Sequence, residues 1–349
     1  MAENKKVILG MSGGMDSSMA AVLLLQNGYE VIGATLQTHT GESDRHIVEA
    51  KALASKLNIE HHLIDCRQDF KETVIAYFAN EYIEGRTPNP CVYCNETIKW
   101  KYLLELAKQL QCAHIATGHY VRVKKQNDYY YIQKGLDPAK DQSYFLWNLS
   151  QKVLSRALFP LGHLHKREVR ELAENLGYKQ IADKKESMGV CFLSGTDYRD
   201  YLKTILPTDH HAFANGPIVD ENNQVLGQHD GYPFYTIGQR RGIEGVVKGK
   251  CVIAIDPKNR TLVSGDRNQL YTDSILLGNF KLTANQQLWM NREVFIRIRG
   301  LDSVPGYVGH ISIKNDKLKV QFNEDVWAIT PGQSIVFYQD DLLIGGGIV

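Results

Sequence analysis

The residues from Val7 to Ser18 read VILGMSGGMDSS and place glycines, an acid and hydroxyls after a short apolar run. Val7 to Leu9 predicts a short buried strand, and Met19 to Gln26 predicts an apolar helix. Gly13 and Gly14 allow a tight turn and a close approach of the backbone to a ligand. Because the first N–H groups of a helix attract an anion, this junction indicates a phosphate site.

The junction differs from the common nucleotide-binding loops. It matches neither GxxxxGK[ST] nor GxGxxG, since no lysine follows the glycines. Asp16 would repel phosphate unless a metal ion or the positive end of a helix intervenes. A simpler interpretation is a tight turn in which Ser12, Asp16 or Ser17 caps the helix. The combined pattern favours a phosphate cradle of a different type.

The stretch RTPNPCVYCNETIKW places Cys91 and Cys94 in a loop that Pro88 and Pro90 stiffen. A helix is predicted to begin near Asn95, and a thiol at a helix N-terminus has a lowered pKa. Three interpretations stay open: a nucleophile, two ligands of a metal ion or iron–sulfur cluster, or a redox pair. A lone CxxC is weak evidence for any of them.

Another cysteine, Cys191, lies in the stretch KKESMGVCFLSG. Taken alone it is typical of a buried core cysteine, but the other motifs make it a candidate partner of Cys94. Cys66, Cys112 and Cys251 match no motif and are interpreted as structural.

Strands and helices alternate in the first third of the chain. Further strands are predicted at Glu30 to Leu36, His61 to Asp65 and Ala113 to Gly118, with helical patterns at 43–57, 70–85 and 96–110. This alternation predicts an α/β class with a doubly wound parallel sheet and helices on both faces. Ligands bind at the carboxyl ends of such strands, where the glycine loop lies and Gly118 is a second candidate contact.

The rest of the chain changes character twice. Residues 150–203 are basic and helical in pattern, which indicates either a solvated face or a surface for phosphates. After Pro207, alternating segments separated by turn residues predict a β-rich half. The predicted domains are therefore 1–206, 207–274 and 275–349.

Composition excludes several classes of protein. The 349 residues are 43% hydrophobic with a formal net charge of +1, so a large core is expected and any nucleic-acid surface must be local. Neither a signal peptide nor a run of about 18 apolar residues is visible. The six scattered cysteines do not suggest a disulfide scaffold, and the histidines show no metal-ligand spacing. A cytoplasmic protein without a structural metal is expected.

Taken together, the motifs resemble the tRNA-specific 2-thiouridylases (the MnmA family) among the PP-loop ATPases, almost from end to end. In the family's order they are GMSGGMDSS, TPNPCVYCN, TGHY, KDQSYFL, GVCFL, YTIGQRRG and TPGQSIVFY…GGGIV. The resemblance implies an adenine nucleotide alpha hydrolase-like PP-loop domain, a small β-rich central domain and a C-terminal β-barrel. It also implies an enzyme that adenylates the C2 oxygen of the wobble uridine in tRNA with ATP and Mg²⁺. Sulfur from a protein persulfide then replaces that oxygen, which gives 2-thiouridine, AMP and pyrophosphate.

The same resemblance implies particular site residues. Cys191 matches the persulfide carrier, Cys94 matches the cysteine that forms a transient disulfide with it, and Asp16 matches a Mg²⁺ or positioning residue. The implied nucleotide contacts are Gly10, Met11, Ser12, Gly13, Gly14, Met15, Asp16, Ser17, Leu36 and Gly118. The implied tRNA contacts are Asn89, Pro90, Cys91, His119, Lys140, Asp141, Gln142, Arg299, Gly300 and Gln333. The implied partners are tRNAs for Lys, Glu and Gln and a cysteine desulfurase or sulfur-relay protein, with a monomer as the default state.

Cys91 departs from the family pattern, because many members have Asp at this position. Together with Cys94 and Cys191 it could hold an iron–sulfur cluster that presents the sulfur, although the two-cysteine persulfide route is favoured. Two other functions stay open. An amide ligase that adenylates a small carboxylate would not need paired cysteines, and an RNA-binding protein with an inactive nucleotide pocket would not turn ATP over.

Overall fold

The computed structural model describes residues 4–39, 44–178, 189–193, 195–245, 248–283, 285–300 and 306–349. The helices in these ranges are α1 (Met15–Gln26), α2 (Asp44–Lys56), α3 (Arg67–Phe70), α4 (Ala76–Ile83), α5 (Pro90–Cys94), α6 (Trp100–Gln109), α7 (Gln151–Leu154), α8 (Lys166–Asn175) and α9 (Tyr198–Ile205). The strands are β1 (Lys6–Gly10), β2 (Glu30–Gln37), β3 (His61–Asp65), β4 (His114–Ala116), β5 (Val121–Gln126), β6 (Tyr129–Lys134), β7 (Ala157–Leu158), β8 (Gly216–Val219), β9 (Val225–His229), β10 (Lys250–Asp256), β11 (Thr261–Asp266), β12 (Tyr271–Leu277), β13 (Asn279–Leu282), β14 (Val294–Arg297), β15 (Tyr307–Lys314), β16 (Lys317–Trp327), β17 (Ser334–Gln339) and β18 (Leu342–Ile348).

The first sheet is parallel and has the strand order β3-β2-β1-β4-β7. Successive residues of the central strand β1 point to opposite faces. Ile8 joins the core cluster that contains Trp100 of α6, whereas Val7 and Leu9 join the cluster that contains Met19 of α1. A strand buried on both faces requires helices on both sides, so the predicted doubly wound parallel sheet is confirmed.

Several predicted boundaries were wrong. Helix α1 begins at Met15 rather than Met19, because the helix starts directly after Gly14. The cysteine-containing helix begins at Pro90 rather than near Asn95. The basic region predicted to be helical also contains strand β7, which adds an edge to the parallel sheet through its pairing with β4. Residues 179–188 of that region lie outside the described ranges.

The β-rich half forms two further sheets. One has four strands in the order β10-β11-β8-β9. The other has nine strands in the order β12-β16-β15-β14-β17-β18-β6-β5, with β13 paired to β18. Its strands β5 and β6 come from the first part of the chain, so one hairpin connects the part of the chain that forms the parallel sheet to this sheet. No helix of the described residues is long and apolar enough to cross a membrane.

Candidate active site

The glycine loop connects β1 to α1 and leaves the start of the helix without a side-chain cap among the described residues. Gly14 occupies the N-cap position, and the hydroxyls of Ser17 and Ser18 donate back to the Gly14 carbonyl at 3.1 and 2.7 Å. Capping by Ser12, Asp16 or Ser17 is therefore wrong. Because no side chain caps these N–H groups, the helix start suits an anion.

Gly13 permits a close contact between the loop and helix α2. Its φ is +68°, a region that residues with a side chain rarely adopt. A Cβ atom at this position would lie 2.6 Å from the carbonyl oxygen of His46. The glycine therefore lets α2 approach the loop and form a wall of the site.

A cavity of about 710 Å³ opens beside the loop. This volume is in the range of small-molecule sites. Residues 12–16 form one wall, and α2 contributes another. The other lining residues are Tyr120, Ala139, Lys140, Asp141, Gln142 and Lys166.

Asp16 is bound by a lysine that the sequence did not single out. Lys166 Nζ lies 2.7 and 2.9 Å from the two carboxylate oxygens, and Tyr120 Oη donates to Oδ1 at 2.7 Å. The Lys166 side chain is 9% exposed, whereas that of Asp16 is 36% exposed. Lys166 is the first residue of α8, far from Asp16 in sequence, so no local pattern could reveal the pair.

The remaining predicted nucleotide contacts lie at the carboxyl ends of neighbouring strands. Gly10 ends β1, and Leu36 lies near the end of β2. Gly118 follows β4, and a Cβ atom there would lie 2.8 Å from the carbonyl carbon of Asp16 and 2.9 Å from the Ser17 nitrogen. Gly118 therefore allows the glycine loop to pack directly on the end of β4.

Cys91 and Cys94 lie on α5, which continues through a π-helical segment (Asn95–Lys99) into α6. Pro90 is the first residue of the helix, where its missing N–H costs nothing. Cys94 therefore lies at the end of α5, within a longer helical run, and not at a helix N-terminus.

Cys191 begins a short 3₁₀ turn with Phe192 and Leu193. The buried Phe192 ring packs against the rings of Phe70 and Phe78 at centroid distances of 5.8 and 5.1 Å. Cys191 itself is exposed. The aromatic contact therefore anchors the turn while the neighbouring thiol keeps access to solvent.

The structure brings the three motif thiols into one electrostatic environment. Burial raises the pKa of Cys91 to about 11 and that of Cys94 to about 12, and the Cys191 thiol raises both further. Cys191 has exposed surface, yet crowding around it also raises its pKa. The positive charge of Lys99 lowers the pKa of all three thiols. The predicted lowering of the pKa is wrong, because Cys94 does not lie at a helix start and burial dominates.

The described residues contain no group of three or more His, Cys, Asp or Glu side chains arranged to hold a metal ion. All six cysteines lie in these ranges, and Cys66, Cys112 and Cys251 are buried.

Two of the predicted tRNA contacts belong to a loop that the C-terminal sheet holds in place. Asn89 is 9% exposed and Pro90 is buried. Gln333 Nε2 donates to the carbonyls of Thr87 and Pro88 at 2.8 and 3.1 Å. Gln333 therefore supports the loop that precedes Cys91.

The three side chains of the segment from Lys140 to Gln142 lie in different environments. Lys140 lines the cavity, and the Gln142 side chain accepts a hydrogen bond from the Tyr120 N–H at 3.0 Å. Asp141 is 7% exposed and pairs with Arg297 of β14 at 3.2 Å. The buried Asp141 carboxylate ties this segment to the large sheet, and the tRNA contact of Asp141 stays a prediction.

The last predicted tRNA contacts are also partly buried; they are His119, Arg299 and Gly300. His119 Nδ1 bonds Thr117 Oγ1 at 2.7 Å, and burial keeps the pKa of its ring well below the usual value, so it is neutral. Arg299 donates to the Ala328 carbonyl at 3.2 Å. A Cβ atom on Gly300 would lie 2.9 Å from the Tyr144 ring, so this glycine allows close packing.

Three family models match the chain in succession. A tRNA methyl transferase HUP domain matches residues 5–195, a tRNA methyl transferase PRC-barrel domain matches residues 199–266, and an aminomethyltransferase β-barrel domain matches residues 272–349. The first contains the glycine loop and all three motif cysteines.

Full-length relatives carry a consistent name. The tRNA-specific 2-thiouridylase MnmA of Cytophaga hutchinsonii is 41% identical and covers 99% of this chain and 98% of its own. The tRNA-specific 2-thiouridylase MnmA 2 of Phocaeicola vulgatus is 42% identical with the same two coverages. That of Natranaerobius thermophilus is 40% identical over 100% of this chain and 98% of its own. The chain therefore belongs to the tRNA-specific 2-thiouridylase family.

Proposed function

We propose that this protein is an ATP-dependent tRNA sulfurtransferase that converts the wobble uridine to 2-thiouridine. One observation carries the proposal: a glycine-loop cavity suited to phosphate lies in the same domain as a set of three neighbouring thiols. The cavity would activate the uridine C2 oxygen, and the thiols would supply sulfur. The names of the relatives support the same substrate class.

The cavity fits the ATP half of the reaction. The N–H groups at the start of α1 and the loop Ser12–Gly14 would hold the phosphates. Asp16 offers the carboxylate oxygens that Mg²⁺ prefers, and Mg²⁺ bound with ATP would neutralise charge on the departing pyrophosphate. Lys166 is a buried cation at the same place, so its ammonium would shift between Asp16 and a phosphate oxygen.

We assign the sulfur-transfer steps of the reaction to Cys191 and Cys94. The terminal sulfur of a Cys191 persulfide attacks C2 of the adenylated uridine, and AMP leaves with the electron pair of the C–O bond. The Cys94 thiolate then attacks the Cys191 sulfur and breaks its bond to the transferred sulfur, which keeps that electron pair. Uridine N3 takes up a proton, 2-thiouridine is released, and cellular thiols reduce the resulting Cys94–Cys191 disulfide.

The remaining parts of the proposal concern partners and organisation. The wobble base would leave its stack to reach the thiols, with phosphate contacts from the basic region 150–203. A cysteine desulfurase or relay protein would load Cys191, and tRNAs for Lys, Glu and Gln would be the substrates. We also propose the domain boundaries 1–206, 207–274 and 275–349, a monomer and a cytoplasmic location.

The test is anaerobic purification followed by assays with ATP, a tRNA transcript and a persulfide donor. Wild type should form 2-thiouridine and pyrophosphate together. Cys94→Ser and Cys191→Ser should lose 2-thiouridine but keep tRNA-dependent pyrophosphate release. Cys251→Ala, which alters a buried thiol of the central sheet, should keep both activities.

Each alternative has its own outcome in this assay. Pyrophosphate release without tRNA would indicate an amide ligase, and no ATP turnover would indicate an RNA-binding protein. Iron analysis of wild type and Cys91→Asp separates the two sulfur routes. A stoichiometric cluster that is lost together with activity in Cys91→Asp would contradict the persulfide route and identify Cys91, Cys94 and Cys191 as cluster ligands.

A further inference from the structure

Lys99 is a half-buried lysine whose ammonium has no partner in the described part of the chain. Among the described residues, no carboxylate lies within 4.0 Å of its Nζ and no acceptor forms a hydrogen bond with it. By contrast, Lys101 of the same helical run pairs with Asp69 at 3.1 Å. Burying an unpaired charge costs free energy, so its position calls for an anionic group nearby during some step.

The π-helical segment places Lys99 beside the thiols. Lys99 follows Cys94 by five positions, which would set their side chains roughly 140° apart on an α-helix. The segment Asn95–Lys99 follows the wider i→i+5 repeat, which brings these two residues nearer to one face. The backbone N–H of Lys99 also favours the Cys94 thiolate. Segments of this kind often occur at functional sites.

The positive charge of Lys99 affects the pKa of titratable groups in three separate parts of the fold. It favours the thiolates of Cys91 and Cys94 on α5 and of Cys191 on the 3₁₀ turn. It also disfavours protonation of His119, which follows β4. Among the described residues, the other titratable groups that face these thiols are neutral near pH 7: Cys66 lies near Cys94, and Tyr201 lies near Cys191.

We propose that Lys99 is a positioning residue that stabilises negative charge on the sulfur atoms of Cys94 and Cys191 during sulfur transfer. The inference rests on the proposed function for its chemistry. Each transfer step needs an anionic sulfur: the persulfide that attacks C2 and the Cys94 thiolate that attacks Cys191. Burial disfavours both anions, and among the described residues Lys99 is the cation whose charge favours them at each of these thiols.

The test measures thiol reactivity without ATP or tRNA. Iodoacetamide labelling of each cysteine is followed by mass spectrometry between pH 7 and 9 in wild type, Lys99→Met and Lys99→Arg. We expect labelling of Cys94 and Cys191 in Lys99→Met to be about tenfold slower at each pH, which corresponds to a rise of about one pKa unit. Lys99→Arg keeps the charge and should restore most of the rate.

Controls separate this effect from a change in structure. Lys101→Met removes an exposed lysine of the same helical run and should label like wild type. The buried thiols Cys112 and Cys251 should stay protected in every variant, which reports that the fold is intact. Wild-type labelling rates in Lys99→Met, or slow labelling in Lys99→Arg despite intact protection, would overturn the inference. Failure of wild type to form 2-thiouridine would overturn the proposed function and leave the labelling result unaffected.

Discussion

At the residue scale, the main finding is that the acid of the glycine loop already has a cationic partner. Common phosphate-binding loops place a lysine directly after the glycines. Here Lys166 lies on helix α8 and pairs with Asp16. The carboxylate neutralises the charge of the buried ammonium.

The Lys166 interpretation predicts a specific loss of ATP binding. Lys166→Met should raise the KM for ATP in pyrophosphate release about tenfold or more, because hydrogen bonds to charged groups contribute about 1.5–3 kcal/mol. Arg167→Gln alters the next residue, whose side chain is 83% exposed, and should leave the KM unchanged. An unaltered KM in Lys166→Met would show that this lysine serves only to hold Asp16.

At the element scale, strand ends and helix starts meet with little space between them. The glycine loop packs against α2 on one side and against the end of β4 on the other. The cysteine-containing helix is likewise one run from α5 to α6, in which a π-helical segment changes the direction of the following side chains. Small residues and one irregular helical repeat therefore determine the geometry of the site.

Gly118→Ala should displace the glycine loop without preventing folding. The added Cβ would meet backbone atoms of Asp16 and Ser17 within 3.0 Å, and overpacking of this kind costs about 1–3 kcal/mol. We expect weaker ATP binding and a lower thermal unfolding midpoint. Gly278→Ala is the matched control, because a Cβ there has no atom within 4 Å. Equal behaviour of the two variants would contradict the proposed packing constraint.

At the scale of the whole molecule, the large β-sheet helps to build the site. The hairpin β5–β6 extends that sheet from the first part of the chain, and the loop containing Gln333 holds the carbonyls of Thr87 and Pro88. The buried pair of Asp141 and Arg297 joins the same two halves. The position of the loop that precedes the cysteine-containing helix therefore depends on residues of the C-terminal part of the chain.

Asp141→Ala should destabilise the protein strongly. It removes the buried carboxylate that pairs with Arg297, and breaking a buried ion pair in this way costs about 3–5 kcal/mol. Thermal unfolding followed by tryptophan fluorescence should show a clearly lower midpoint. Asp341→Asn removes the carboxylate of a more exposed pair with Arg122 at the same interface and should cost about 1 kcal/mol or less. Similar shifts in both variants would argue against a special structural role for Asp141.

Sequence reasoning predicted the parallel sheet well because its signals are local. Buried strands such as Val7 to Leu9 are short apolar runs, and β3 agrees with the structure at both ends. Helix starts were less accurate where glycine or proline set them, as at Met15 and Pro90. Strand β7 was missed because its two residues carry no periodic pattern, and it forms only through pairing with β4.

By itself, the sequence determined the family, the glycine loop and the identity of the candidate thiols, since each depends on residue types at fixed spacing. Only the tertiary structure showed that Lys166 pairs with Asp16, that the charge of Lys99 favours the Cys94 thiolate and that Asp141 is buried. It also reversed the expected direction of the Cys94 pKa. These properties depend on burial and on contacts between residues that are distant in the chain, and no local pattern encodes either.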